Sequence, residues 1–559
     1  MKIFASLFNE SEWTMPRRLL VAALAVWLIA AAVYLPKLPN RFTFDDRVFI
    51  QTDPHLHTIS GALGEFTRDQ ARLYRPLRSL ILAGVIAVFG LENSLPYQLA
   101  GIIFHATLAA LMFAIVWLIL RNGLAAFGAG LVFALHPVHA DRVANITGSF
   151  DLPGIMLGYA AWACALWYDA AGKPWRLWLA ALLLALGCLA SEEALMAWPL
   201  LLGSLILIAG ERGRRIRLVV VLTAVVVFHL ILRSVILGGL GRTAEYAAGS
   251  LGNSILTMPV ILWRYVGLLF WPVGLSPAYG PRIYDSFSPA VVAALVGIAA
   301  LLALMVLARR RAPWLTLGIG WFFIGLAPFC NLLPGDTLMA ERYLYSALAG
   351  FAVLAGWALG RAAIRPRAAL TVVVVVLVAY AAGTVGRCRV WGNPPVLWAQ
   401  AATREPASFL ANLNAGYHSL QVRRFTDAQR FAMQAQRLKP ERAEPLLQLG
   451  EAAIRQEDLR KGIDYLQRAV AADPKHCSAY SALAQALVMA GDHRRAAAVA
   501  GKAIKCDPRE TQAHYVLAYL LVVAGKCELA KPHLATILRT QPRPQEYEPA
   551  RQLIQHCGP

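Results

Sequence analysis

The sequence predicts an all-α protein in two parts, a polytopic helical membrane domain followed by a tetratricopeptide-type α-solenoid. Three observations carry that expectation. The 559 residues are 58% hydrophobic and only 15% charged, against roughly 25% charged in soluble domains. Apolar runs long enough, or nearly long enough, to cross a bilayer recur as far as residue 386,. Beyond Arg404 the charge density rises and prolines return at a fixed interval. The chain is also too long for one ordinary compact domain.

The apolar runs come in order at 18–35, 97–119, 123–136, 151–168, 177–190, 194–210, 217–237, 256–272, 288–308, 314–330, 342–360 and 368–386. The first lacks a small-residue cleavage site and reads as a signal anchor. The net charge of +20 arises from 53 Lys+Arg against 33 Asp+Glu. Much of it sits in short loops: Arg17-Arg18, the 211–217 cluster, Arg309 to Arg311, and Arg361 to Arg367. That is the positive-inside pattern of an inner-membrane protein, and it argues against nucleic acid as the partner. If every run crosses, the last two basic clusters fall outside. If 256–272 is re-entrant or interfacial, both fall inside, so about 11 spans are expected and the repeats lie outside. One outer face then gathers the loop 37–96, the segments 136–151, 191–193, 273–289 and 331–343, and everything after about residue 387.

Pro406, Pro440, Pro474, Pro508 and Pro542 are spaced 34 residues apart, the tetratricopeptide period. Gly416 and Gly450 recur where the first helix of a pair needs a small residue. Ala428, Gly462, Ala496 and Ala530 recur where the second helix packs closely on it. Leu449, Leu483 and Leu517 mark the core face. Such pairs bury their apolar faces only by stacking. The expected organisation is a membrane domain over 1–387, a connector over 388–405, and four repeats with a C-terminal cap over 406–559. The array either binds peptides and proteins or serves as a spacer or oligomer contact.

Of the eight cysteines, Cys164 and Cys188 lie inside apolar runs as small core residues. The rest fall on the outer side, where disulfides are permitted. Cys477 starts and Cys506 ends the helices of one antiparallel pair, which brings them together. Cys527 and Cys557 form a second candidate pair, and Cys330 and Cys388 a third. No close Cys-x-x-Cys supports zinc.

The outer segments hold the polar residues suited to chemistry. Asp45-Asp46, just beyond the first span, is either a helix cap or a source of a general base, because a desolvated carboxylate near other acids has a raised pKa. Arg75, after Tyr74 and before Pro76, is either a phosphate ligand or a snorkelling side chain. His136-Pro137-Val138-His139 with Asp141 has a proline that breaks helical spacing. It suits interface caps or substrate hydrogen bonds better than a metal. Glu192-Glu193, between two apolar runs, is costly unless it caps a helix or does a job. Arg342, within Glu341-Arg342-Tyr343 and after Asn331, is either a second phosphate ligand or again a snorkelling side chain.

Phe44-Asp45-Asp46, Tyr74-Arg75-Pro76-Leu77, His136-Pro137-Val138-His139, the Glu193 junction, Glu341-Arg342-Tyr343-Leu344 and the 34-residue array occur in this order. In that combination the chain resembles the transmembrane and tetratricopeptide-repeat protein O-mannosyltransferases and their bacterial relatives, of the GT-C glycosyltransferase superfamily. The resemblance covers nearly the whole chain. It implies a polyprenyl-phosphate sugar as donor and a protein Ser or Thr hydroxyl as acceptor. By position it makes Asp45 the base, with Asp46 in support, and has Arg75 and Arg342 hold the donor phosphate. Tyr74, His136, His139, Glu193, Glu341 and Tyr343 become substrate-binding candidates. It also implies inversion at the anomeric carbon. Relatives often show Lys-Glu where this chain has Glu192-Glu193, which weakens the case for a phosphate contact there. A divalent cation near the acidic pair is compatible with the resemblance, although many such transferases need none. The implied setting is a bacterial inner membrane with the repeats in the periplasm. Two other readings stay open: a glycosyltransferase acting on a lipid or glycan, and a non-catalytic scaffold for envelope assembly.

Overall fold

The computed structural model describes residues 17–43, 45–68, 73–207, 210–239, 246–335, 337–362, 367–540 and 544–557. Phe44, part of the acidic-pair motif, and Pro542 and Arg543, at the start of the cap, lie outside the described residues. So do parts of the basic 361–367 cluster. Among the described residues there is no β-strand. The chain divides into two compact units: Met1–Pro277 with Pro281–Pro394, and Ala278–Gly280 with Pro395–Pro559.

In the first unit each apolar run becomes one helix. They are α1 Arg17–Tyr34, then, after the short α2 Pro76–Phe89, α3 Leu95–Leu120, α4 Gly123–Leu135, α5 Leu152–Ala171, α6 Pro174–Ala190 and α7 Ala197–Leu207. The series continues with α8 Arg212–Leu237, α9 Leu251–Phe270, α10 Pro289–Ala308, α11 Pro313–Leu326, α12 Leu344–Ala362 and α13 Arg367–Trp391. Glycines let backbones meet: a Cβ on Gly356 of α12 would lie 2.3 Å from the Ala125 carbonyl oxygen of α4, and one on Gly350 equally close to Gly318 of α11. Small residues at such crossings are how helices associate in a bilayer, where apolar burial supplies no driving force.

Seven of the described helices are long and apolar enough to cross a membrane, or eight if one bent pair counts as a span. Others of the apolar helices, such as α6 and α11, are shorter than 18 residues, and 3₁₀ turns interrupt the chain where polar residues enter. A 3₁₀ turn at Glu192–Met196 precedes α7, another at Ala327–Phe329 follows α11, and a third at Glu341–Tyr343 precedes α12. The bend lies at His136-Pro137, where α4 meets Pro137–Ala144 at 46°.

The run 256–272 forms no re-entrant loop. It belongs to α9, an unbroken helix with Pro259 inside it. Just before α9, the Ala247 amide donates to the Gly335 carbonyl at 3.0 Å. At its far end the Leu269 carbonyl meets His136 Nε2 at 3.0 Å and the Tyr380 hydroxyl at 3.2 Å. Both ends of α9 therefore touch segments that loop charge assigns to one face.

The second unit starts with α14 Pro394–Arg404. The four repeats follow as α15 Phe409–Gln421 with α16 Phe425–Leu438, α17 Ala443–Arg455 with α18 Leu459–Ala472, α19 Cys477–Met489 with α20 His493–Cys506, and α21 Thr511–Val523 with α22 Cys527–Arg539. The cap is α23 Pro544–Cys557. Ala428, Ala496 and Ala530 are fully buried, as their period requires. Asp458 and Asp492 cap the second helices of their repeats by accepting from the amides of Lys461 and Arg495,. Cys477–Cys506 and Cys527–Cys557 are disulfide-bonded. The third expected pair does not form: Cys330 and Cys388 are free thiols, Cys330 donating to the Leu326 carbonyl and Cys388 buried.

Candidate active site at one end of the helical bundle

The loop after α1 folds Asp46 inward. Its Oδ2 accepts from the Thr43 amide at 2.9 Å, and its Oδ1 from both the amide and the hydroxyl of Thr147 at 2.7 Å. Asp46 is therefore spent on holding the loop to the Thr147 turn. Asp45 is only partly buried and makes no hydrogen bond among the described residues. Burial pushes its carboxyl up to about 6, against the pull of the Arg342 guanidinium and with help from Asp46 and Asp141. A carboxylate poised near 6 and free to accept a proton is suited to general-base work. Burial also raises Asp46, although its three hydrogen bonds oppose this.

Around them lies an ionic network. Arg75 stands just before α2, whose first residue is Pro76. Its Nη1 reaches Asp151 at 2.8 Å and its Nη2 reaches Glu192 at 3.7 Å. Arg78 meets Asp151 at 3.3 Å, and Arg142 meets it at 2.7 Å while also pairing with Glu193. Arg233 of α8 joins Glu192 at 3.3 Å, and Arg387 of α13 joins Glu341 at 3.5 Å. The Ser346 hydroxyl donates to Glu193 at 2.8 Å. The Arg342 amide donates to Asp141 at 2.9 Å, and its guanidinium lies 3.9 Å from the same carboxylate with 29% of the side chain exposed. Buried Lys37 donates to the Val143 carbonyl.

The structure thus brings Asp45, Asp46, Arg75, Glu193, Glu341 and Arg342 to one end of the bundle. It corrects the expectation for the histidines. His136 and His139 are fully buried. His136 is tied to the Leu269 carbonyl, and the His139 ring packs 4.3 Å from that of Tyr345 and 4.6 Å from that of Phe133. Neither imidazole is open to a substrate: both rings are enclosed by apolar helices, and the two ring nitrogens of His139 have no hydrogen-bond partner among the described residues. Tyr74, whose hydroxyl donates to the Phe66 carbonyl, is also closed off. So are Glu341 and Tyr343, the latter stacked on Phe329 at 4.1 Å. These side chains build the wall, whereas Asp45, Arg75 and Arg342 keep some exposure.

Sequence reasoning missed Arg78, Asp151, Arg233, Arg387 and Lys37. The available signal was ionisable residues at or inside apolar runs, which are rare unless they pair or function. Among the described residues no group of three or more His, Cys, Asp or Glu side chains is placed to hold a metal ion.

In the repeats, the first helices of the four pairs line a groove of about 770 Å³, with Gln421, Arg423, Glu451, Arg455, Gln485 and Tyr515 on its walls.

Residues 413–477, 447–511 and 481–542 match the tetratricopeptide repeat family. Protein O-mannosyl-transferase TMTC2 of Homo sapiens is 31% identical over 143 residues, 24% of this chain and 17% of that protein. Protein O-mannosyl-transferase Tmtc2 of Drosophila melanogaster is 26% identical over 273 residues, 44% of this chain and 28% of that protein. The chain is similar to the protein O-mannosyl-transferases. It spans 17% to 28% of the length of these two relatives. Among solved structures, MamA is 21% identical, covering 26% of this chain and 86% of its own at a TM-score of 0.24. A thermophilic tetratricopeptide protein of Thermus thermophilus is 15% identical, covering 33% and 95% at 0.26.

Proposed function

We propose that this chain is an integral-membrane glycosyltransferase of GT-C type, which moves a sugar from a polyprenyl-phosphate donor to a Ser or Thr hydroxyl of a protein. The observation that carries this is Asp45: a carboxylate at the edge of a buried ionic network, raised to about 6 and without a hydrogen bond among the described residues. Asp45 takes the hydroxyl proton as the hydroxyl oxygen attacks the anomeric carbon. The bond from that carbon to the phosphate oxygen breaks, and the polyprenyl phosphate leaves with the electron pair. Arg342, the more open of the two phosphate candidates, and Arg75 receive the developing charge. A single displacement from the opposite face inverts the centre.

Two observations support placing the site and the repeats on the periplasmic side of a bacterial inner membrane. Loop charge puts the site segments opposite the basic clusters, and two disulfides in the repeats fit an oxidising compartment,. The repeat groove, with amide, guanidinium and carboxylate groups along it, suits an acceptor polypeptide.

The test uses the full chain in detergent with radiolabelled polyprenyl-phosphate sugars and a periplasmic protein extract. Wild type is expected to label protein, and folded Asp45→Asn to lose that activity. Label appearing only in lipid or glycan would shift the reading to that acceptor. No transfer from any donor, with Asp45→Asn still complementing a deletion strain, would leave the scaffold reading in its place.

A further inference from the structure

Three guanidiniums meet on one carboxylate. Asp151 Oδ1 accepts from Arg75 Nη1 at 2.8 Å and lies 3.3 Å from Arg78 Nε, while Oδ2 accepts from Arg142 Nη1 at 2.7 Å. The other acids do not share in this way. Glu193 pairs with Arg142, and Glu192 lies between Arg75 and Arg233. Like charges this close repel strongly where water is scarce, so the three arginines hold these positions together only with an anion among them. Asp151 stands just before α5, whose second residue is Pro153, on a rigid turn whose amide donates to the Gly148 carbonyl.

The contacts continue to the acidic pair. Arg78 Nη2 donates to the Thr147 carbonyl at 3.3 Å. The amide and hydroxyl of Thr147 both donate to Asp46, the neighbour of Asp45. One unbroken path therefore runs from Arg75 through Asp151, Arg78 and Thr147 to Asp46.

We infer that Asp151 is the positioning residue of this site: its carboxylate sets Arg75 for the donor phosphate and, through Arg78 and Thr147, fixes the loop that aims Asp45. Asp151 touches neither substrate. The inference rests on the transferase reading for its kinetic form, and on the ion pairs alone for its structural form.

The experiment compares full-length wild type, Asp151→Asn and Asp151→Glu in detergent, measuring kcat and KM for donor and acceptor across pH. Asp151→Asn is expected to raise the donor KM at least tenfold and leave the acceptor KM within about twofold. Its acidic limb should move to lower pH. The groups that act on Asp45 are Arg342, Asp46, Asp141 and Arg78, and loss of the Asp151 charge leaves Arg78 unbalanced, favouring the ionised base. Asp151→Glu keeps the charge but displaces it by one methylene, so it should leave the donor KM several-fold above wild type, short of the rise in Asp151→Asn, with the limb back at its wild-type position. Equal rises in both KM values, or an unchanged donor KM with an unmoved limb, would overturn the inference. If Asp151→Asn does not fold, Asp151→Glu decides alone: a donor KM raised several-fold supports it, and wild-type kinetics overturn it. Should wild type transfer nothing, the transferase reading fails separately. The positions of Arg75 and Arg142 in an experimental structure of Asp151→Asn then decide, displacement supporting the inference and unchanged positions refuting it.

Discussion

Ion pairs in the helical bundle and in the repeat array follow different physics. Arg142 and Glu193 pair with side chains 5% and 7% exposed, and Arg142 and Asp151 with 5% and 6%. In the repeats, Lys461–Asp458 is 74% and 39% exposed, and Arg468–Asp464 is 55% and 66%. A desolvated pair seldom stabilises a fold better than apolar packing, yet breaking one leaves an uncompensated buried charge. An exposed pair is screened and contributes little. The bundle thus retains charges at an energetic disadvantage, which is expected where they act on a substrate. The repeats derive their cohesion from fully buried alanines such as Ala428, Ala432, Ala496 and Ala500, and use charge for solubility.

The sharpest way to break this comparison is to remove Asp45, a partly buried acid with no hydrogen bond among the described residues. Asp45→Asn should lower label transfer by roughly 10²- to 10⁴-fold, the range for loss of a general base, with no loss of thermal stability. A variant with more than a tenth of wild-type transfer would mean that the base lies elsewhere. Next in size is the buried pair itself. Glu193→Ala leaves Arg142 with Asp151 alone and takes the acceptor from the Ser346 hydroxyl, so it should cost about 3 kcal/mol, the low end for breaking a buried pair, seen as a marked fall in the melting transition in detergent. Arg468→Ala should leave the transition within error. Similar shifts from the two variants would abolish the distinction between the regions.

Much of this contrast was legible in the sequence, but unevenly. The repeats announced themselves through period, because every repeat solves the same packing problem with the same small residues at Ala428, Gly462, Ala496 and Ala530. The Cys477–Cys506 disulfide followed from antiparallel geometry, and Cys527–Cys557 from its place between the last repeat and the cap. In the bundle, hydropathy located every numbered helix except α2 but not where each stops, and the 3₁₀ turns at Glu192 and Glu341 depend on tertiary pairing. Asp45 and Arg342 stood out as polar residues in outer loops. Asp151, Arg233 and Arg387 did not, since a single charge beside an apolar run reads as a cap or an anchor until its partner from a distant helix is known. In sequence His136 and His139 read as interface caps or substrate contacts; His136 caps the turn at Val138, and the structure surrounds both rings with Phe133, Tyr345 and Tyr380.

The disulfides sharpen the comparison from the other side. Cys477–Cys506 and Cys527–Cys557 close loops of sequence separation 29 and 30 within the second unit. Each should contribute about 2–4 kcal/mol. A reductant, or Cys477→Ser with Cys506→Ser, is expected to lower the unfolding transition of the repeats while the transition of the bundle stays where it was. A parallel drop in both would show that the two units do not melt independently.

The smallest expected effect lies in the pH dependence of stability, where the two regions should differ in sign. In the bundle, the Asp45 carboxyl is pushed up from 3.8 to about 6 by burial. Between those values the folded chain holds more protons than the unfolded one, so the stability contributed by Asp45 is present below about 4 and falls away as pH rises through about 6. Asp45→Asn removes that fall and should melt about 1–4 °C above wild type at pH 7–8, with the two curves meeting near pH 4. In the repeats, hydrogen bonds from the Lys461 side chain and amide hold Asp458 below its usual range. Its contribution is present above the unfolded pKa and lost as pH falls through the folded one, and solvent exposure keeps it small. Asp458→Asn should therefore lower the melting temperature slightly at pH 7 and not at pH 3. Tryptophan fluorescence melts of the two variants between pH 3 and 8 read both signs. Two curves that diverge from wild type in the same direction would mean that burial does not separate the acids of the two regions, and Asp45 would lose its distinction as the poised carboxylate.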